Sequence, residues 1–450
     1  MVEQQSVRVG ALAQNWAEQM AYYRLLGNER VGEGELIEGL CGGSRAAAEA
    51  ALESAGAPLH VLAIQDTTQL NFEAQAGRRQ AESGLGVIGD GQSAGFFLHP
   101  TLLVDATHAH ALGFSDVQLW SRDSQQPSKE ARRYKQQPLE EKESARWVDS
   151  LVRSRSRLGE DLHVTGVLDR EGDLYPLFAR LPDARTNLIV RACRDRNLRK
   201  GSQRLFAHLA QQPCLGRAEL EVRGDVRTRQ SARRAELTYR IAEVRFPRPS
   251  PWPEEAEITG PLWAIEVREE PESVPEGEEA IHWRLVTTHR VETLAQAQQV
   301  VNWYRERWHI EQVFRLLKLE GLDLESSALS RGRALRRLSV LALGAALDVL
   351  RLLRAERGES TQPLEQVFAP HEQACLEALA PGVQGRTQKQ QNPHTPHTLG
   401  WAAWIIARLG GWKGYRSQRP AGPITYRRGL VRFATLCEGF RLRPPDLYRP

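Results

Sequence analysis

Leu59–Asp66, LHVLAIQD, is an apolar run of strand-forming residues that stops at an acid, and His163–Asp169, HVTGVLD, repeats the design. Short runs without polar alternation are what parallel strands buried on both faces require, and a charge at the carboxyl end of such a strand lies where the sheet opens to ligand. Aspartates also end strands simply because they favour turns, so either acid alone reads as an ordinary strand end. Together they predict an α/β sheet with two carboxylates on one edge.

A later segment, NWYRERWHIEQVFRLLKLEGL (302–322), reads as one long helix. It is expected to start at a capping box, Thr293 with Gln296, and to stop at Gly321. At 100° per residue, Arg307, Glu311 and Lys318 return to within about 60° of Tyr304. One stripe would then carry a phenol, a guanidinium, a carboxylate and an ammonium. A carboxylate flanked by cations suits a metal ligand beside phosphate-binding groups, although a solvated face of mixed charge has the same composition. A third acid beside two strand-end aspartates makes a set of hard oxygen ligands for one or two Mg²⁺ or Mn²⁺ ions.

The pattern Tyr304-x2-Arg307-x3-Glu311-x6-Lys318, preceded by AIQDTT at Asp66 and LDREGD at Asp169, resembles the YREK signature of bacterial cut-and-paste insertion-sequence transposases. EKESARW (141–147), IVRA (189–192), HWRLVTT (282–288) and the tail GGWKGYRSQRPAGP are similar to family segments in the family's order, from about Gln19 to Leu442. The resemblance implies a ribonuclease H-like mixed sheet with a β-rich insertion, flanked by N-terminal and C-terminal helical regions. It implies that Asp66, Asp169 and Glu311 are the catalytic and metal-binding DDE set, with Asp66 bridging two ions. Tyr304, Arg307 and Lys318 would grip phosphates of the transposon end, Trp283 would stack on a flipped base, and Arg191 would lie near the hairpin end. Without the resemblance, Trp283 reads as a core aromatic and Arg191 as a surface ion-pair partner. The implied substrates are double-stranded transposon ends and target DNA, cleaved through 3′-OH attack and a hairpin by a homodimer in a synaptic complex.

The residues divide into a short helical region over 1–56, a catalytic domain over 57–325 with its β-rich insertion at about 194–280, and a helical, basic region over 326–450 for dimerisation or DNA contact. AEQMAYYRLL and SRAAAEAALESA should be helices with Gly-rich breaks between them; Leu139–Arg157 should be another. Family members usually carry a longer amino-terminal region that recognises ends, with an LGD-x-R-like segment. Only about 18 residues precede the similar stretch here, and the motif is missing. An inhibitor that forms inactive heterodimers is therefore the alternative, and a general metal-dependent nuclease a third reading.

Composition supports these expectations weakly. A net charge of +4 does not argue for nucleic acid, but residues 385–450 hold twelve lysines and arginines against two acids. Five scattered cysteines lack the paired spacing of a disulfide framework or thiolate zinc site. No apolar stretch has the form of a signal peptide or spans a bilayer, which suggests a cytoplasmic protein without a membrane partner.

Overall fold

The computed structural model describes most of residues 15–441. Positions 56–59, 74–83, 126–136, 223–230, 253–254, 416–419 and 442–450, most of 1–14, and a few shorter stretches including Gly321 lie outside the described residues. The helix stop expected at Gly321 falls there.

In chain order the strands are β1 (His60–Gln65), β2 (Thr68–Asn71), β3 (Gly86–Val87), β4 (Ala94–Asp105), β5 (Ala111–Trp120), β6 (His163–Leu168), β7 (Thr186–Arg191), β8 (Gly216–Val222), β9 (Arg233–Val244), β10 (Leu262–Glu269) and β11 (His282–Thr287). The helices are α1 (Trp16–Gly27), α2 (Glu33–Ala55), α3 (Ala145–Leu158), α4 (Tyr175–Arg180), α5 (Leu205–Ala210), α6 (Leu294–Arg305), α7 (Trp308–Arg315), α8 (Gly332–Glu356), α9 (Pro370–Val383), α10 (Leu399–Leu409) and α11 (Pro423–Arg441). They form two compact units. The first is Met1–Ala57, Thr67–Gln126 and Trp308–Pro450; the second is Pro58–Asp66 and Pro127–Arg307.

The second unit holds a mixed sheet in the order β1-β6-β7-β11-β10-β9-β8. The apolar runs read from sequence are its parallel centre, since β1 pairs parallel with β6 and β6 with β7. Val61–Ile64, Val167–Leu168 and Leu188–Val190 are fully or almost fully buried. Helix α3 comes close to this layer because Gly166 has no side chain: a Cβ there would stand 2.8 Å from a Leu151 methyl. The expected β-rich insertion is an antiparallel extension through β11, β10, β9 and β8, which gives the ribonuclease H-like mixed α/β fold. Arg233 pairs there with Glu269 and Glu278, all three nearly buried.

In the first unit, β4 pairs antiparallel with β2, β3 and β5, and α2 and α8 pack on β5. Helix α2 runs unbroken through Gly39, Gly42 and Gly43, contrary to the expected Gly-rich break. Glycine inside a helix costs only about 1 kcal/mol, and tertiary packing offsets it. Ser44 on that helix bonds the Phe114 carbonyl at 2.6 Å, and a Cβ on Gly113 would lie 2.2 Å from the Ser44 oxygen. The helix expected over Leu139–Arg157 is a 3₁₀ turn at Leu139–Glu141 followed by α3, because Lys142 is extended (φ −99°, ψ 143°).

Candidate functional site

The single helix expected across 302–322 is three pieces. Helix α6 starts at the Thr293–Gln296 capping box and ends at Arg305, where the Glu306 N–H meets the carbonyls of Asn302, Trp303 and Tyr304. A tightened last turn of this type closes a helix without glycine or proline. Helix α7 follows, and Leu316–Glu320 is a π-helical turn, a widened form frequent at functional positions. The uniform 100° stripe therefore does not hold from Tyr304 to Lys318. Tyr304 and Arg307 belong to the second unit, Glu311 and Lys318 to the first.

Within the second unit, strand register aligns the two aspartates. Ile64 pairs with Val167, and Leu168 with Val190. Carried forward to the carboxyl ends, this register sets Asp66 beside Asp169 and Asp169 beside Arg191, in one row on strands about 4.8 Å apart. Arg191 in turn pairs with Leu285 of β11, so Trp283, two residues away, shares its sheet face. Arg307 donates from Nη1 to Asp66 Oδ2 at 3.0 Å, with both side chains less than a fifth exposed. Its guanidinium lies 6.0 Å from the centre of the Tyr304 ring, and that ring lies 6.1 Å from Trp283 at 62°. The Tyr304 hydroxyl is buried without a hydrogen-bond partner among the described residues. Sequence-predicted residues thus meet in a chain: Asp66, Arg307, Tyr304, Trp283.

The acids next to Asp169 are engaged elsewhere. Glu171 pairs with Arg146. Asp173, buried, accepts the N–H groups of Cys193 and Arg194 and pairs with Arg196, so it anchors the segment that follows Arg191. Asp169 itself accepts the Glu171 N–H at 2.8 Å, which fixes the carboxylate at the start of a 3₁₀ turn. The anchoring role of Asp173 could not be read from its spacing alone, because its partners lie about twenty residues on.

In the first unit, Glu311 is half-buried on α7 beside buried His309, Ile310, Val313 and Phe314. Lys318 lines a cavity of about 400 Å³ with Thr67, Thr68, Gln69, Asn71, Ile88 and Glu325. Burial pulls its ammonium below the ordinary lysine value, and Glu325 opposes the shift. The side chains of Asp105, His108 and His110, whose donor atoms lie within 4.8 Å of one another, also form a group of residue types able to hold a metal among the described residues; none was expected from sequence.

A large mixed sheet with a parallel centre and flanking helices is the architecture of a ribonuclease H-like protein. The family model described as "Transposase DDE domain" matches residues 110–347, more than half of the chain, and the chain belongs to that family. Membership implies nuclease and transposition catalysis on DNA. The matched segment includes Asp169, Arg191, Trp283, Tyr304, Arg307, Glu311 and Lys318; Asp66 lies upstream of it. No helix among the described residues is long and apolar enough to cross a membrane.

Proposed function

We propose that the chain is a bacterial cut-and-paste insertion-sequence transposase of the YREK type, with Asp66, Asp169 and Glu311 as its catalytic, metal-binding carboxylates. The observation that carries this reading is the row of Asp66, Asp169 and Arg191 at the carboxyl edge of three parallel strands, with Arg307 bonded to Asp66. Two adjacent hard-oxygen ligands fit Mg²⁺ or Mn²⁺ better than a softer ion. When bound, two such ions neutralise charge on the attacking and leaving oxygens of an in-line displacement.

The chain's own residues account for the rest. Asp66 and Asp169 would hold the cations at the sheet edge, and Glu311, four residues beyond Arg307 in sequence, is the third carboxylate of the proposed set. Arg307 balances the charge of Asp66 and, were a cation to occupy that carboxylate, would be released to a DNA phosphate, a role its paired N–H donors suit. Lys318 and Arg191 supply further phosphate contacts, with Tyr304 alongside. Trp283 offers a ring face to a base expelled from the duplex, in contact with Tyr304. Water cleaves one strand, the freed 3′-OH attacks the opposite strand to form a hairpin, and the reopened end is joined to target DNA. Residues 326–450 provide dimerisation and DNA contact for a homodimeric synaptic complex. The complete acidic and YREK set favours catalysis over the inhibitor reading.

The test is cleavage of transposon-end DNA by the Asp66→Ala, Asp169→Ala and Glu311→Ala variants. Each is expected to lose cleavage and to retain end binding measured by gel shift. A variant that cuts at the wild-type rate would remove that residue from the set.

A further inference from the structure

The geometry points to a second metal site, separate from the carboxylates above, in which Asp105, His108 and His110 bind one divalent transition ion of the Zn²⁺ type. Their ligand atoms already lie within 4.8 Å of one another. Asp105 ends β4, the two histidines lie in the turn to β5, and the chain reverses at Ala109 in a left-handed conformation (φ 56°). The Ala109 N–H bonds the Asp105 carbonyl at 2.8 Å and the Asp105 N–H bonds the His110 carbonyl at 2.9 Å. This closure brings the imidazoles into a stack with centroids 5.3 Å apart and planes 26° apart.

The donor set indicates the ion. Two imidazoles and one carboxylate suit Zn²⁺ and its neighbours, whereas Mg²⁺ prefers oxygen alone. Asp105 is only 2% exposed, yet one oxygen accepts the Thr107 N–H at 2.8 Å and the other lies 2.7 Å from His108 Nδ1. A metal would displace the proton shared by that Asp–His pair and satisfy both groups. His110 Nε2 lies 3.1 Å from the Thr361 hydroxyl, which can accept its N–H and leave Nδ1 to the ion, the kind of outer contact that fixes ligating imidazoles. Arg354, which donates to the Ala109 carbonyl at 3.2 Å, also repels a cation, so the site must gain more from its three ligands than it loses to this charge. A tetrahedral ion with bonds near 2.1 Å needs ligands roughly 3.4 Å apart. His108, about half exposed, is free to rotate into that arrangement. The ion would clamp the β4–β5 turn and leave its fourth position to water.

The test is titration of the full-length, chelator-treated protein with Co²⁺, followed by visible absorption, and with Zn²⁺, followed by calorimetry and thermal unfolding. One ion per chain is expected at this site, with a rise in melting temperature. His108→Ala, a change at an exposed position, should weaken binding at least 100-fold and abolish the thermal shift; His110→Ala should do the same. The Asp66→Ala/Asp169→Ala double variant should bind this ion as the wild type does, which separates the site from the catalytic carboxylates. Undiminished affinity in His108→Ala, or loss of binding in the Asp66→Ala/Asp169→Ala variant, would overturn the assignment.

Discussion

Acid sensitivity built into the strand that bears Asp169 gives a prediction with a calculable size. His289 and His60 each place a ring nitrogen within hydrogen-bond distance of the Thr165 hydroxyl on β6, at 2.9 and 2.7 Å. Both rings also pack against Trp303, with centroids 5.0 and 4.7 Å from it. Burial, reinforced by His60 and His163, lowers the His289 pKa from 6.5 to about 4. Between those values the unfolded chain binds more protons at this position than the folded one, so stability falls as pH drops through the window and recovers as pH rises. The full penalty below pH 4 approaches ~3 kcal/mol, and about 2 kcal/mol of it is felt on going from pH 7 to 4.5. Urea unfolding, followed by tryptophan fluorescence at several pH values, should show this loss in the wild type. His289→Gln keeps a polar atom near Thr165 but does not titrate, so at pH 7 it should cost only about 1 kcal/mol and its stability should decline less steeply on acidification. Parallel pH profiles for the two proteins would refute the argument, because the slope would then arise elsewhere.

Other consequences follow from single contacts. Asp173→Ala removes the buried partner of Arg196 and two backbone acceptances, so unfolding measurements should show a loss of about 3–5 kcal/mol, with cleavage impaired through the displaced segment after Arg191. Gly113→Ala forces a Cβ to within 2.2 Å of Ser44 Oγ and should destabilise by ~1–3 kcal/mol; Ser44→Ala should rescue it only in part, since the Ser44 Cα is also 2.9 Å away. Arg307→Ala should reduce cleavage severely while leaving Mn²⁺ affinity equal or higher, because Asp66 no longer shares its charge with a guanidinium. Weaker Mn²⁺ binding in that variant would count against the proposed exchange of partners. Trp283→Ala should slow hairpin formation by roughly the 1–3 kcal/mol of one lost base stack, with first-strand nicking spared.

The parts of the fold legible in sequence were those governed by local pattern. Apolar runs ending in Asp66 and Asp169 marked the parallel strands, and the Thr293–Gln296 pair marked the start of α6. The break between Arg305 and Trp308 was hidden because WYRERWHIEQ has helical periodicity and contains neither glycine nor proline. Arg307 at that break is tied instead to Asp66, 241 residues away in the chain. The opposite error occurred in α2, where glycines suggested an interruption that packing against β5 overrides. The Asp105–His108–His110 spacing was visible but carried no turn signal, since an alanine adopts the left-handed position that glycine or asparagine usually takes. The partners of Glu171 and Asp173, Arg146 and Arg196, lie too far along the chain for local pattern to show them.

The central claim, that this chain cuts and joins DNA through Asp66, Asp169 and Glu311, is tested most directly by incubating the protein in Mg²⁺ with DNA carrying the inverted repeats that flank its own coding sequence. Products would be resolved on denaturing gels beside those of Glu311→Ala. The account predicts nicked and hairpin ends from the wild type and intact DNA, still bound, from the variant. Equal cleavage by the two proteins, or a folded wild type that binds Mg²⁺ and the ends without cutting them, would contradict it.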